Sequence, residues 1–278
     1  MDTLMIILPQ RSQLLADMIV NKNSDMMYAG VVSGNNTGVV WADDISNPAF
    51  CVVWSEHLGG FHFMGDSYSQ VCKPELLEFI NNTIIPFLTD KGISYCEFSC
   101  DSREWIPFIM DVLSAYKINN GKQFVYKLPD KKNINRAIPC PSGYDIFEIS
   151  APFVSDNLMS LDNHETIIDD IEKTWESMDR FIKLGKGYTA IQDNRVCGFT
   201  TTHFRYKDVY CIGTETFEPH KQKGLSSFLS MSLISEIVNQ GASVWWDCMK
   251  DNIASQRTAA KVGLSFDHEY DIFWFDIS

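Results

Sequence analysis

The residue patterns met from Tyr28 onward are met again from Tyr188 onward, and a chain that repeats itself at that distance points to two similar folding units. "YAGVVSGNNTGVVW" from Tyr28 and "YTAIQDNRVCGFTT" from Tyr188 each read as strand, polar turn and strand, with Gly38 and Gly198 at the same offset. The next strands are "AFCVVWSE" (49–56) and "VYCIGTET" (209–216). Each half then carries a helix ending near glycine, "ELLEFINNTIIPFLTDKG" and "LSSFLSMSLISEIVNQG". A strand follows in each, "ISYCEF" and "SVWWDC", and a short helix and an aromatic strand close both, "KQFVYKL" and "YDIFWFDI". Between the halves "LPDKKNINRAIPCP" (128–141) is polar, rich in proline and without an apolar period. The expected division is therefore a first domain over 1–130, a linker over 131–141 and a second domain over 142–278.

The copies differ at one place. Where the second reads Lys221-Gln222-Lys223-Gly224-Leu225-Ser226, the first at that offset reads Phe61-His62-Phe63-Met64-Gly65-Asp66. In the second copy a buried stripe of Leu225, Phe228, Leu229, Leu233, Ile234 and Ile237 starts right after the glycine, so the basic residues stand at the first turn of a helix. First-turn amides have no intrahelical acceptor and point at whatever precedes the helix. With the helix dipole they form an anion site, and Gly224 lets an oxygen approach the backbone where a Cβ would block it. The arrangement suits a diphosphate. Neither GxxxxGK[ST] nor a GxGxxG after a strand occurs, which excludes two other phosphate loops.

The net charge of −13 argues against nucleic-acid and anionic-membrane partners, because both need a basic footprint, and is compatible with a cationic substrate or with plain solubility. "TLMIIL" is too short to span a membrane and lacks the basic start of a signal peptide, so a cytoplasmic protein is expected. Eight scattered cysteines without a CxxC pair read as buried reduced thiols, and no metal is expected.

The strand, loop and helix around Gly224 resemble the Gcn5-related N-acetyltransferases (GNATs), whose acetyl-CoA loop reads Arg/Gln-x-x-Gly-x-Gly/Ala. "DNIASQRTAAKVGLSF" is similar to that family's Asn-x-x-Ala/Ser helix, through Asn252, Ser255 and the capping Gly263. Within the family the chain looks most like the zwittermicin-A-resistance type. There Gly-x-Glu-Thr precedes the loop, as Gly213, Glu215 and Thr216 do here, and Trp-Asp ends the next strand, as Trp246 and Asp247 do. "GVVWADDISNP" (38–48) fits the amino-terminal region of that type, so the resemblance covers nearly the whole chain. Three positions depart from the pattern. Lys221 and Ser226 replace Arg/Gln and Gly/Ala, and Ala259 stands where many members carry a tyrosine that protonates the leaving thiolate.

The resemblance implies an α+β fold of two tandem GNAT-like domains. Each would have a central mixed, mostly antiparallel sheet flanked by helices, with its fourth and fifth strands splayed. It further implies a monomer built as an internal pseudo-dimer whose second domain alone binds acetyl-CoA as co-substrate. Backbone groups of Thr214 and Thr216 would pair with the pantetheine arm. The segment Lys221, Gln222, Lys223, Gly224, Leu225 and Ser226 would hold the diphosphate, with Asn252 and Ser255 reaching the arm from the other side. The acceptor would be a primary amine of a small cationic metabolite, such as an antibiotic inactivated by acetylation. A protein or peptide amine and a non-catalytic acyl-CoA sensor stand as alternatives. An amine of pKa ~10 is neutral about once per thousand molecules at pH 7 and needs a base. Glu215 is the first candidate, Asp247 the second and Asp208 the third, and Glu215 or Asp247 could instead bind a cation or a backbone amide. Cys248 reads as a packed thiol, His220 as a surface residue or a phosphate contact, and His203 as packing. The acidic helix from Asn163 to Arg180 would border the acceptor cleft.

Overall fold

The computed structural model describes residues 6–8, 11–44, 46–65, 72–129 and 138–277; Asp66 and linker residues 131–137 lie outside them. The chain forms two compact units, one of residues 1–123 with 270–278 and the other of residues 124–269.

In the first unit β1 (Ile6–Ile7), α1 (Gln13–Ile19) and α2 (Met26–Val32) precede β2 (Gly38–Ala42), β3 (Cys51–Ser55) and β4 (Gly60–Met64). Helix α3 (Lys73–Phe79) passes through one π-helical turn (Ile80–Ile84) into α4 (Ile85–Asp90). Pro86 stands in the first turn of α4, and the wider turn before it absorbs the missing N–H. Then come β5 (Tyr95–Cys100), α5 (Trp105–Val112) and β6 (Asn119–Lys127), of which Phe124–Lys127 belong to the second unit.

The second unit continues with β7 (Asp145–Glu148), α6 (Ala151–Asp156), α7 (His164–Trp175), α8 (Met178–Leu184), β8 (Gly187–Gln192), β9 (Arg195–Tyr206) and β10 (Val209–Thr216). It ends with α9 (Leu225–Asn239), β11 (Ser243–Met249), α10 (Ile253–Lys261) and the start of β12 (Ser265–Asp276). The acidic segment is two helices rather than one. Glu176 takes φ 74° and Ser177 caps α8, its hydroxyl accepting from the Arg180 amide at 3.3 Å.

The two units share a topology. Strands β1 to β4 pair antiparallel in sequence order, and β4 pairs parallel with β5. Strands β7 to β10 do the same, and β10 pairs parallel with β11. This common order corrects the register of the sequence repeat by one strand. The segment at Tyr28 is helix α2, so Gly187–Gln192 corresponds to Gly38–Ala42, and β10 to β4 rather than to β3. Phe61 to Met64 are accordingly strand, and cannot be the counterpart of the second copy's loop.

The first unit's sheet is completed from far along the chain. Phe273 pairs with Phe98 and Phe275 with Cys96, and both aromatic side chains enter a core with Trp41, Phe61, Leu88 and Trp105. In the second unit α7 and α9 cover opposite faces of the sheet. Ile167, Ile171 and Trp175 pack on Val196 and Phe199, whereas Leu225 and Leu229 pack on Ala190 and Cys197.

Candidate functional site

Beyond residue 211 the central strands of the second unit part. Strands β10 and β11 pair only from Val209/Ser243 to Cys211/Trp245, although they run on to Thr216 and Met249. A carbonyl that turns toward β9 is spoken for: Gly213 O accepts from Thr200 Oγ1 at 2.8 Å, and Glu215 O lies against Gly198. Since main-chain groups alternate along a strand, those of Ile212, Thr214 and Thr216 turn into the gap, an open edge for an extended ligand arm.

The expected parting of strands is thus present in the second unit and absent from the first. There β4 and β5 stay paired through Phe63/Cys100, and the Asp101 amide adds one more bond to Phe63 O at 3.0 Å. The Asp101 carboxylate then accepts from Ser24 Oγ at 2.7 Å and Gly65 N at 3.0 Å and meets His62 Nε2 at 2.7 Å. His62 Nδ1 is bonded in turn to Ser99 Oγ at 2.7 Å. A buried polar clasp holds together what the second unit leaves open.

Where β10 ends, the chain turns onto the face covered by α9. Thr216 Oγ1 and Ser226 Oγ share a hydrogen bond of 2.8 Å, fixing the helix start to the strand end. Gln222 (φ 62°) and Gly224 (φ 85°) take left-handed backbone in the intervening loop, and no side chain caps α9. The first-turn amides of Leu225, Ser226 and Ser227 therefore lack an intrahelical acceptor. Beside Gly224, the residue that precedes them, lies a cleft of about 480 Å³ lined by Ile138, Pro139, Cys140, Pro141, Lys223, Gly224 and Lys261.

The cleft brings together some of the expected residues and adds others. Lys223 and Gly224 line it. Lys221 leans instead on Glu218, at 3.4 Å, and Gln222 is exposed. Lys261 lies with its ammonium 3.6 Å from where a Cβ on Gly224 would stand. Nothing in the sequence marks Lys261 beyond its being a basic residue in the last turn of α10, and residues 138–141 read as linker. His220 is half-buried, with Nδ1 2.9 Å from Tyr144 Oη; burial first, then Lys223, holds its imidazole below the usual range.

On the other rim of the gap, Asn252 Oδ1 accepts from the Ser255 amide at 3.1 Å, the ordinary cap of α10. Ser255 Oγ accepts from Trp246 Nε1 at 2.9 Å. Asp247 is half-buried on β11 and Glu215 is exposed on β10. Thr214 Oγ1 donates to Phe199 O at 3.2 Å. Ala259 is wholly buried in the core beneath α10. Burial pushes the Cys248 thiol up, which disfavours the thiolate and makes it a packing group. All eight cysteines carry free thiols. Among the described residues no helix is long and apolar enough to cross a membrane.

Parted parallel strands facing an uncapped helix start are the combination to compare with known proteins. The model of the GNAT acetyltransferase family matches residues 17–273. This chain belongs to that family.

Among solved GNAT structures, a tandem GNAT protein from the clavulanic acid biosynthesis pathway superposes over 99% of both chains with a TM-score of 0.62 at 9% identity. A GCN5-related N-acetyltransferase-like protein from Streptococcus suis covers 86% of this chain and 88% of its own, with a TM-score of 0.59 at 16% identity. At such identities the likeness concerns the fold. The chain is also 24% identical over 145 residues to YdfB of Bacillus subtilis strain 168, an uncharacterized N-acetyltransferase. That match spans 51% of this chain and 52% of the relative, about half the length of each.

Proposed function

We propose that the second unit of this GNAT protein binds acetyl-CoA and moves its acetyl group to a primary amine of a small cationic metabolite. The observation that carries this is the parting of β10 from β11 beside the uncapped start of α9. One end of the ligand needs an anion site and the middle needs a free strand edge, and both stand next to each other here. The amides of Leu225 and Ser226, with Gly224, Lys223 and Lys261, receive the diphosphate; Lys221 and Gln222 border it. Main-chain groups of Thr214 and Thr216 pair with the pantetheine arm, and Asn252 and Ser255 bound it on the β11 side. An amide near Thr214 faces the oxyanion that forms as the thioester is attacked.

The acceptor reaches the thioester from the face covered by α7. Glu165, Asp169 and Glu172 of that helix are exposed, and Glu215 stands on the same face of β10 as Gly213, so the approach is acidic and suits an ammonium. An antibiotic inactivated by acetylation, as in the zwittermicin-A-resistance type, fits this charge, and the free thiols suit the cytoplasm. The first unit, its strands clasped shut, takes no coenzyme of its own in this scheme.

Calorimetry with acetyl-CoA tests the assignment: one equivalent per chain is expected, together with thiol release when amines are added. No binding, or binding undiminished by Gly224→Val, would overturn it. Binding without turnover on any amine would favour an acyl-CoA sensor instead, a reading to which the buried Ala259 lends weight.

A further inference from the structure

Helix α9 carries a hydroxyl that the fold leaves without a partner. Ser230 is wholly buried, at 0% exposure, and its Oγ forms no hydrogen bond among the described residues. Two residues on, Ser232 shows the ordinary solution for a helical serine, donating to Phe228 O one turn back at 3.1 Å. Ser230 makes no such bond, although water does not reach it and an unpaired buried hydroxyl is unfavourable.

The place of this hydroxyl follows from its neighbours on the helix. Residues four apart share one face, so Ser226, Ser230 and Ile234 form a single stripe. At one end of the stripe Ser226 is tied to Thr216, the last residue of β10, by the 2.8 Å bond. At the other end Ile234 packs in the cluster that holds Ile212 of β10 with Val244 and Trp246 of β11. Ser230 stands between them. Because β10 and β11 are parallel, the helix that joins them runs the opposite way. One helical turn of about 5.4 Å nearly matches the step of about 6.6 Å from Thr216 back to Thr214. Ser230 is therefore level with Thr214, beyond the last β10–β11 pair at Cys211 and Trp245.

A second unpaired atom marks the same region. Among the described residues, the second unit leaves two buried side-chain polar atoms without a partner, Ser230 Oγ and Trp245 Nε1. Both stand where the strands part. Thr189, Thr200 and Thr201 are as deeply buried, and all three hydroxyls are bonded.

We propose that Ser230 binds the arm of acetyl-CoA, its hydroxyl forming a hydrogen bond with a polar group of the arm level with Thr214. This rests on the acetyl-CoA reading. In that reading the thioester meets an amide near Thr214, so Ser230 holds the end of the arm that carries the acetyl group. A hydroxyl both donates and accepts, and an amide or a thioester carbonyl of the arm satisfies it. Ser230 is a positioning residue and exchanges no proton with the substrate. Removing its Oγ deletes a contact that the ligand makes and, at the same time, a group that the empty fold leaves unpaired.

The test compares wild type and Ser230→Ala by urea unfolding without ligand and by calorimetry with two ligands. Acetyl-CoA carries the arm, and adenosine 3′,5′-bisphosphate carries the nucleotide end without it. Ser230→Ala should bind acetyl-CoA about tenfold more weakly, the weight of one hydrogen bond, and the bisphosphate as wild type does. Without ligand the variant should unfold at the wild-type urea concentration or a higher one. Undiminished acetyl-CoA affinity overturns the inference and leaves the coenzyme reading standing. An equal loss with both ligands, or a lower urea midpoint, overturns it as well, because the hydroxyl then serves the fold. A wild type that does not bind acetyl-CoA sinks both.

Discussion

Replacing Asp101 with alanine should loosen the first unit's sheet at the place where the second unit's sheet is open. The Asp101 side chain is 1% exposed and meets three groups, His62 Nε2, Ser24 Oγ and Gly65 N. The serine hydroxyl can rotate to another acceptor and the imidazole can change tautomer, but the Gly65 amide is fixed. Breaking a buried charged contact from one side costs about 3–5 kcal/mol, and the fixed amide argues for a value near 4 kcal/mol. At about 1.4 kcal/mol per tenfold, that is a loss of roughly a thousandfold in amide protection. Hydrogen exchange read by mass spectrometry on peptides covering β4 and β5 measures it, with peptides from β10 and β11 as reference. Asp101→Asn, which keeps an acceptor, should lose less. If Asp101→Ala changes protection in β4 and β5 by under tenfold, the clasp does not hold these strands.

Three further outcomes are expected. Lys223→Ala and Lys261→Ala should each weaken acetyl-CoA binding by about three- to tenfold, with the difference shrinking in high salt as screening takes over; salt-independent losses in calorimetry would refute a phosphate role. Phe275→Ala should cost the first unit about 3–5 kcal/mol, since its ring is 1% exposed in the aromatic core; an unchanged urea midpoint would contradict that. Burial, opposed in part by His62, raises the Asp25 carboxyl above its usual 3.8. A raised carboxyl keeps its proton in the folded chain after the unfolded chain has lost it. Its contribution is therefore full below that usual value and is lost as pH rises through the folded one. Asp25→Asn should flatten this decline in urea midpoints as pH rises above the usual carboxyl value, and parallel profiles would refute it.

The amphipathic elements were legible in the sequence and the uniformly buried ones were not. Helix α9 begins at Leu225, where its apolar stripe and Gly224 put it. Helix α2 is buried from Met27 through Val32, so no polar face marks its period, and "YAGVV" reads as a strand. Only Asp25, whose Oδ1 accepts from the Met27 amide at 2.7 Å, betrays a helix start. That one misassigned segment shifted the whole internal repeat by a strand. At the site, Lys223 and Gly224 could be found because loop and helix adjoin in sequence. Lys261 could not, since it meets Gly224 across more than thirty positions of chain.

The sheet of the first unit ends on residues that the ribosome makes late. Strand β5 closes at Cys100, while its partner in β12 begins to pair only at Phe273. At 5–20 residues per second, roughly ten to thirty seconds of synthesis separate the two. Throughout that interval β5 has an unzipped flank, and Trp41 and Trp105 belong to a core still missing Phe273 and Phe275. A nascent chain halted anywhere in the second unit would therefore display a sticky half-sheet upstream, so the region most exposed to premature aggregation is the one translated first.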